Sequence, residues 1–264
     1  MYIMIPKIIH HIWFGEKSYP KIVKKCLKSL HKILPDYEIM YWNSDNFDLN
    51  INPWVRQAYD AKKYAFVSDF ARLYLLYKYG GIYVDTDIEI LKNLDPFLSD
   101  KAFIGVTSLE NQINAGIIGS EASHPMIKIL LDYYQNRNFI MENGEYDQRI
   151  NAYLIYELLL KEGMKNDYSE QIIKGVHLYP KGYFLLFEEV SLETRYFPDT
   201  AYALHYGTGS WSEKNIGFQK LLRKINLYYN SYAGDIYQFM KWCHLETFYM
   251  KSLNVYKKFI RTKI

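Results

Sequence analysis

Short apolar runs alternate with longer stretches of helical periodicity along the chain, and that order predicts an open α/β sheet. Ile8 to Phe14 and Tyr37 to Trp42 read as strands, with Lys21 to Ile33 between them as a helix. Helical segments follow around Pro53 to Tyr79, where Val67, Phe70, Ala71, Tyr74 and Leu75 recur on one face. Gly80 can supply the left-handed residue that ends such a helix, and a Gly-Gly joint returns the chain to a buried strand over Ile82, Tyr83 and Val84. Beyond it lie apolar stretches at Phe103 to Val106 and Ala115 to Ile118, helices near Pro125 to Asn136 and Gln148 to Glu162, and late strands near Ile172 to Leu178 and Tyr202 to Tyr206. Alternation of this kind implies a largely parallel sheet. Ligands in such sheets gather beyond the carboxyl ends of the strands, and Trp13, Asp85 and His205 fall at such ends. No internal repeat is visible.

Candidate chemistry clusters at those ends. In an extended chain, side chains at i and i+2 point the same way, so Asp85 and Asp87 can converge on one cation. Two carboxylates leaving a buried strand suit Mg²⁺ or Mn²⁺, which keep positions for water and substrate phosphates; an acidic strand-to-loop turn is the bland alternative. Asp69 and Arg72 are three residues apart, on one helix face, and form either a pair beside the carboxylates or an ordinary surface ion pair. Trp13 precedes Gly15 and offers an indole face for a nucleobase, or else packs under the sheet. His10 and His11 read as structural histidines of a buried strand. In His205-Tyr-Gly-Thr-Gly-Ser-Trp211, the glycines free backbone N–H groups while Ser210 and the Trp211 indole add donors for phosphate oxygens. His205 can add a neutral imidazole to the metal. Asn114 is a candidate sugar contact, with a turn-forming role equally open.

Four motifs, in order, resemble the sugar transferases of glycosyltransferase family 32, related to the glucosyltransferase domains of large clostridial toxins. They are Ile5-Pro-Lys-Ile-Ile-His-His-Ile-Trp-Phe-Gly15, Ser68-Asp-Phe-Ala-Arg72, Tyr79-Gly-Gly-Ile-Tyr-Val-Asp-Thr-Asp87 and His205-Tyr-Gly-Thr-Gly-Ser-Trp211. The resemblance implies a GT-A fold, an open, mostly parallel Rossmann-like sheet flanked by helices. It further implies a nucleotide-sugar donor, a divalent metal and transfer with retention at the anomeric carbon. By the same resemblance Trp13 would sandwich the uracil of a UDP-sugar, Asp87 would bind the metal directly, and Asp85 would meet the ribose or the metal's water. Asp69 and Arg72 would then hold donor-sugar hydroxyls. His205 departs from the toxins, whose corresponding contact is not a histidine.

Composition adds a size and a charge asymmetry. The 264 residues are 49% hydrophobic and 17% aromatic, enough for one α/β domain with a sizeable core plus an appendage. Cys26 and Cys243 are too few for a disulfide framework. The amino terminus lacks a signal-peptide pattern and no stretch of about 18 apolar residues occurs, so a cytoplasmic enzyme is expected. Residues 220–264 carry nine Lys or Arg against two acids, in a chain whose net charge is +3, with ten aromatics interleaved. That composition suits helices lying on an anionic membrane or packing on the catalytic domain; nucleic acid is disfavoured for want of any recognition motif. The expected organisation is a catalytic domain over 1–215 and a basic aromatic helical tail over 216–264. The expected function is sugar transfer to a glycan or lipid-linked oligosaccharide, in capsular or other surface polysaccharide synthesis. A metal-dependent phosphodiesterase or nucleotidyltransferase is the rival enzyme class, and a non-catalytic carbohydrate-binding protein the rival of a different kind.

Overall fold

In the computed structural model, which describes residues 5–15, 18–107, 111–186 and 198–207, the chain begins with β1 (Ile8–Ile12), α1 (Lys21–Ile33), β2 (Glu38–Trp42), α2 (Pro53–Asp60) and α3 (Tyr64–Tyr79). β3 (Gly81–Val84), β4 (Ile88–Ile90), β5 (Ala102–Val106), β6 (Ile113–Ser120), α4 (Pro125–Asp132) and α5 (Asn151–Lys161) follow. The described part closes with β7 (Gln171–Ile173), β8 (Val176–Tyr179), β9 (Phe184–Leu186) and β10 (Ala203–His205). Among the described residues, seven strands form one sheet in the order β2-β1-β3-β6-β5-β8-β7. β2, β1 and β3 are parallel, as are β5 and β8, while β6 opposes both its neighbours and β7 opposes β8.

The α/β sheet expected from the sequence is therefore present, with β6 and β7 reversed. Both reversals have a short connection as their cause. The loop from β5 to β6 is too brief for a parallel crossover, which needs a dozen or more residues. The late strand expected over Ile172 to Leu178 is a hairpin instead: Lys174 and Gly175 both take positive φ, 50° and 85°, the geometry of a two-residue turn that matches strand twist. β10 belongs to a second sheet of order β4-β10-β9, antiparallel to β4 and parallel to β9. His205 thus arrives from this small sheet and not from a main-sheet strand.

Both faces of the main sheet are covered, which is why its strands read as unbroken apolar runs. On one face Tyr83, Ile104 and Ile118 pack with Trp54, Phe66, Leu73 and Leu76 of α2 and α3 and with Ile127 and Leu159 of α4 and α5. On the other, Ile82, Val84 and Phe103 pack with Leu30 of α1, Ile88 and Ile90 of β4, and Phe97. Burying each such side chain stabilises the fold by roughly 1.5–3 kcal/mol. α3 is buried on nearly all sides, Asp69 and Arg72 included. Its end is sharp because Gly80 takes φ +67° and Gly81 φ +101°, and a Cβ on Gly81 would stand 2.7 Å from the Ile8 carbonyl oxygen. Only glycine fits that joint. No helix among the described residues is long and apolar enough to cross a membrane. Ser210, Trp211, Cys243, the boundary at 215 and the basic tail lie outside the described residues.

Candidate metal and donor site

The site is built where β3 ends. The Asp85 amide donates to the Gly116 carbonyl at 2.7 Å, and the Ile88 amide closes a turn on the Asp85 carbonyl at 3.0 Å. Asp85 and Asp87 thus converge through a tight turn, not through the extended chain the sequence suggests. His205 completes the group: its Nε2 lies 3.2 Å from Asp87 Oδ1 and 3.6 Å from Asp85 Oδ2, and ligand atoms of all three residues fall within 4.8 Å of one another. Burial lowers the affinity of the imidazole for a proton, but the charge and hydrogen bond of Asp87, with Asp85 behind it, outweigh burial and raise its pKa.

Gly116 makes this convergence possible. In the β5–β6 pairing Gly105 faces Asn114 and Ile104 faces Ile118, so residues 115–117 bulge out of the ladder. Bulges re-aim backbone beside functional sites, and here the Ala115 carbonyl turns to Arg72 while the Gly116 carbonyl turns to Asp85. A Cβ on Gly116 would come within 2.8 Å of His205 Nδ1 and 3.0 Å of Asp85 Oδ2. That Nδ1 is buried and has no hydrogen-bond partner among the described residues, so the ring has only its Nε2 edge committed, toward both carboxylates. Two hard oxygens and one imidazole nitrogen form a donor set that suits Mn²⁺ or Mg²⁺. The residues fit the ion that the motif implies, and Asp85, Asp87 and His205 are the ones that would hold it.

Beside this group the i, i+3 pair of α3 is buried, not a surface ion pair. Arg72 Nη2 reaches Asp69 at 3.0 Å and Asp85 at 3.3 Å, and its Nη1 donates to the Ala115 carbonyl at 2.7 Å. The guanidinium also lies 4.3 Å from the Tyr83 ring centroid, and the Tyr83 hydroxyl donates to Asp85. Burial alone would lower the arginine's pKa; its anionic neighbours more than compensate, and it stays charged. Burial pushes the Asp69 carboxyl up to about 6, Arg72 opposing and Asp85 reinforcing the rise. The second Asp69 oxygen accepts from the Asn151 amide at 3.3 Å, the first residue of α5, whose side chain also donates to the Asp69 carbonyl at 2.7 Å. Tyr134 in turn donates to Asn151 at 2.8 Å.

Other candidates divide. Asn114 lies within β6, not in a turn; its amide is engaged by the Phe184 carbonyl at 3.0 Å and the Gly116 amide at 3.3 Å, so it ties the bulge to β9. Trp13 follows β1, half-buried, its ring 5.5 Å from Tyr19 and pressed against Gly15. His10 is structural as expected: Trp42 donates to its Nδ1 at 3.2 Å, leaving Nε2–H to donate to the Gly80 carbonyl at 2.7 Å. Burial holds His11 neutral, with a pKa of about 4. Tyr83, Gly116 and Asn151 escaped the sequence reading. Tyr83 shares the i, i+2 face of Asp85 and could have been found; a buried asparagine 82 residues from its partner could not.

Comparison with known proteins points to glycosyltransferases. Residues 20–104, which contain α3 and Asp85-Thr86-Asp87, match the family model described as a glycosyltransferase sugar-binding region containing DXD motif. Over those residues the chain is similar to DXD-type glycosyltransferase sugar-binding regions, and the resemblance drawn from its motifs is borne out. An uncharacterized glycosyltransferase, L373, of Acanthamoeba polyphaga mimivirus is 36% identical over 149 residues, 53% of this chain and 58% of that relative. Inositol phosphoceramide mannosyltransferase 3 of Schizosaccharomyces pombe is 36% identical over 130 residues, 47% of this chain and 35% of that protein. The chain thus spans between a third and three fifths of the length of these curated relatives. Among solved structures, PaToxG glycosyltransferase aligns with a TM-score of 0.44 at 21% identity, over 61% of this chain and 70% of that one.

Proposed function

We propose that the protein is a metal-dependent retaining glycosyltransferase that takes a sugar from a nucleotide-sugar donor, a UDP-sugar by the motif resemblance. The observation that carries this reading is the convergence of Asp85, Asp87 and His205 beside the buried Asp69–Arg72 pair, the aspartates and the arginine falling within the stretch 20–104 that matches a DXD sugar-binding region. A divalent ion held there would neutralise the diphosphate as the sugar leaves. Arg72, pinned by Asp69, Asp85 and the Ala115 carbonyl, presents a fixed positive charge next to that diphosphate. Asp69 keeps lone pairs for donor-sugar hydroxyls while Arg72 and the Asn151 amide orient it. With both its oxygens already engaged, Asp69 is a poor covalent nucleophile, which supports attack by the acceptor on the leaving-group face. A two-metal phosphodiesterase would need more acidic ligands than Asp85 and Asp87 around one site, and the described residues hold one group of three.

The acceptor reading shifts with the relatives. Mannosyl phosphorylinositol ceramide synthase CSH1 of Saccharomyces cerevisiae is 34% identical over 144 residues; with the inositol phosphoceramide mannosyltransferase it favours a lipid acceptor and a mannosyl donor. Nothing among these names favours capsular polysaccharide. The test is a screen of UDP- and GDP-linked sugars for metal-dependent binding and hydrolysis, with wild type and Trp13→Ala side by side. The expected result is one preferred donor, lost on chelation, and a nucleotide affinity at least tenfold weaker in folded Trp13→Ala; absence of binding to every nucleotide sugar would sink the reading. The basic aromatic segment 220–264 is proposed to dock the enzyme on the cytoplasmic face of an anionic membrane. The full chain should then sediment with anionic vesicles at low salt and be released by added salt; indifference to such vesicles would leave the tail a structural element.

A further inference from the structure

A second polar cluster lies directly behind the metal group. Tyr206 follows the metal-site residue His205, and its amide donates to the Asp87 carbonyl at 3.0 Å, so one residue joins both halves of the proposed ligand set. Its hydroxyl donates to Glu89 of β4 at 2.6 Å and accepts from Lys25 of α1 at 2.6 Å, while Lys25 also pairs with Glu89 at 2.9 Å. Each of the three groups thus contacts the other two. Immediately afterwards Gly207 takes φ +58°. Lys25 and Glu89 keep side-chain exposures of 43% and 22%, so their ion pair by itself adds little to stability.

We infer that Tyr206 is a positioning residue for the metal site, its hydroxyl clamped by Lys25 and Glu89 so that His205 and the Asp87 carbonyl keep a fixed separation. This rests on the metal reading of Asp85, Asp87 and His205. A partner one shell out from metal ligands sets their orientation, and its loss typically weakens metal affinity by about 10–100-fold. Tyr206→Phe removes the hydroxyl that accepts from Lys25 and donates to Glu89, yet keeps the ring in its buried seat and leaves the Lys25–Glu89 pair able to form. Lys25→Met removes only the outer, half-exposed member.

The experiment is Mn²⁺ titration of the full-length protein by electron paramagnetic resonance, without nucleotide, on wild type, Tyr206→Phe, Lys25→Met and the double variant, each checked for folding by circular dichroism. Tyr206→Phe is expected to bind Mn²⁺ at least tenfold more weakly with an unchanged folded spectrum. Lys25→Met should lose less, and the double variant should bind like Tyr206→Phe, because the three groups act as one unit. Equal Mn²⁺ affinity in wild type and Tyr206→Phe would overturn the inference and leave the metal reading standing; no Mn²⁺ binding by wild type would overturn both. Should Tyr206→Phe fail to fold, Lys25→Met decides: a weakening of at least threefold supports the clamp, and an unchanged affinity overturns it.

Discussion

Asp87→Asn is expected to abolish metal-dependent nucleotide binding and sugar transfer together. Asp87 is 7% exposed and its carboxylate stands 3.2 Å from His205 Nε2, so the amide can occupy the same space with little change in packing. What disappears is one of the two negative charges that would hold a divalent ion against a diphosphate. Because partners one shell out already cost about 10–100-fold, loss of a ligand itself should lower transfer by at least about 100-fold. Asp85→Asn should keep more metal affinity, since Asp85 also accepts from Tyr83 and pairs with Arg72 and is less exclusively committed to the ion. Calorimetry of UDP with Mn²⁺ and with chelator, on wild type and both variants, separates these effects. Wild-type binding and transfer that ignore chelation would end the metal-ligand assignment and leave the Asp-x-Asp segment a donor-positioning or structural turn.

What the sequence discloses of this site follows from range. The helix–Gly-Gly–strand unit is local: the α3 periodicity, the positive φ demanded at Gly80 and Gly81, and the strand before Asp85 all depend on neighbouring residues, and all are legible. α1 spans the same residues that its apolar spacing indicates. The short strands β4 and β9 are not legible, because they owe their form to pairing with β10. The same holds for the functional groups. Asp69 and Arg72 could be paired from i, i+3 spacing, but spacing cannot show that both are buried or that Asn151 supplies a third contact. The role of Gly116 is equally invisible, since it depends on a bulge in register against β5 and on a histidine 89 positions later. Asn114 reads as a sugar contact or a turn residue, and its pairing within β6 excludes the turn.

Arg72 should give the second large effect, and the mode of failure distinguishes a catalytic site from a structural pair. The guanidinium is 8% exposed at its side chain and touches Asp69, Asp85, the Ala115 carbonyl and the Tyr83 ring. Removing one partner of a buried pair costs about 3–5 kcal/mol, because the other charge is left uncompensated. Arg72→Ala should therefore melt on the order of 10 °C below wild type. The deficit has a predictable pH dependence. Asp69 has its folded pKa raised to about 6, above an unfolded value of about 3.9, so the folded state already binds the proton more readily and ionised Asp69 opposes folding. Without Arg72 that pKa rises further, and protonation removes the uncompensated charge. The melting deficit of Arg72→Ala, measured with chelator present, should accordingly shrink as pH falls from 8 toward 5. Arg72→Lys keeps a charge but cannot reach carboxylate and carbonyl through a planar fork. It should fold, bind UDP within a few-fold of wild type, and lose turnover by roughly 100-fold, the scale expected for one preorganised charge at a leaving group. Normal turnover in folded Arg72→Lys would reduce the pair to a stabilising element and transfer the work of orienting the donor to Asp69 alone.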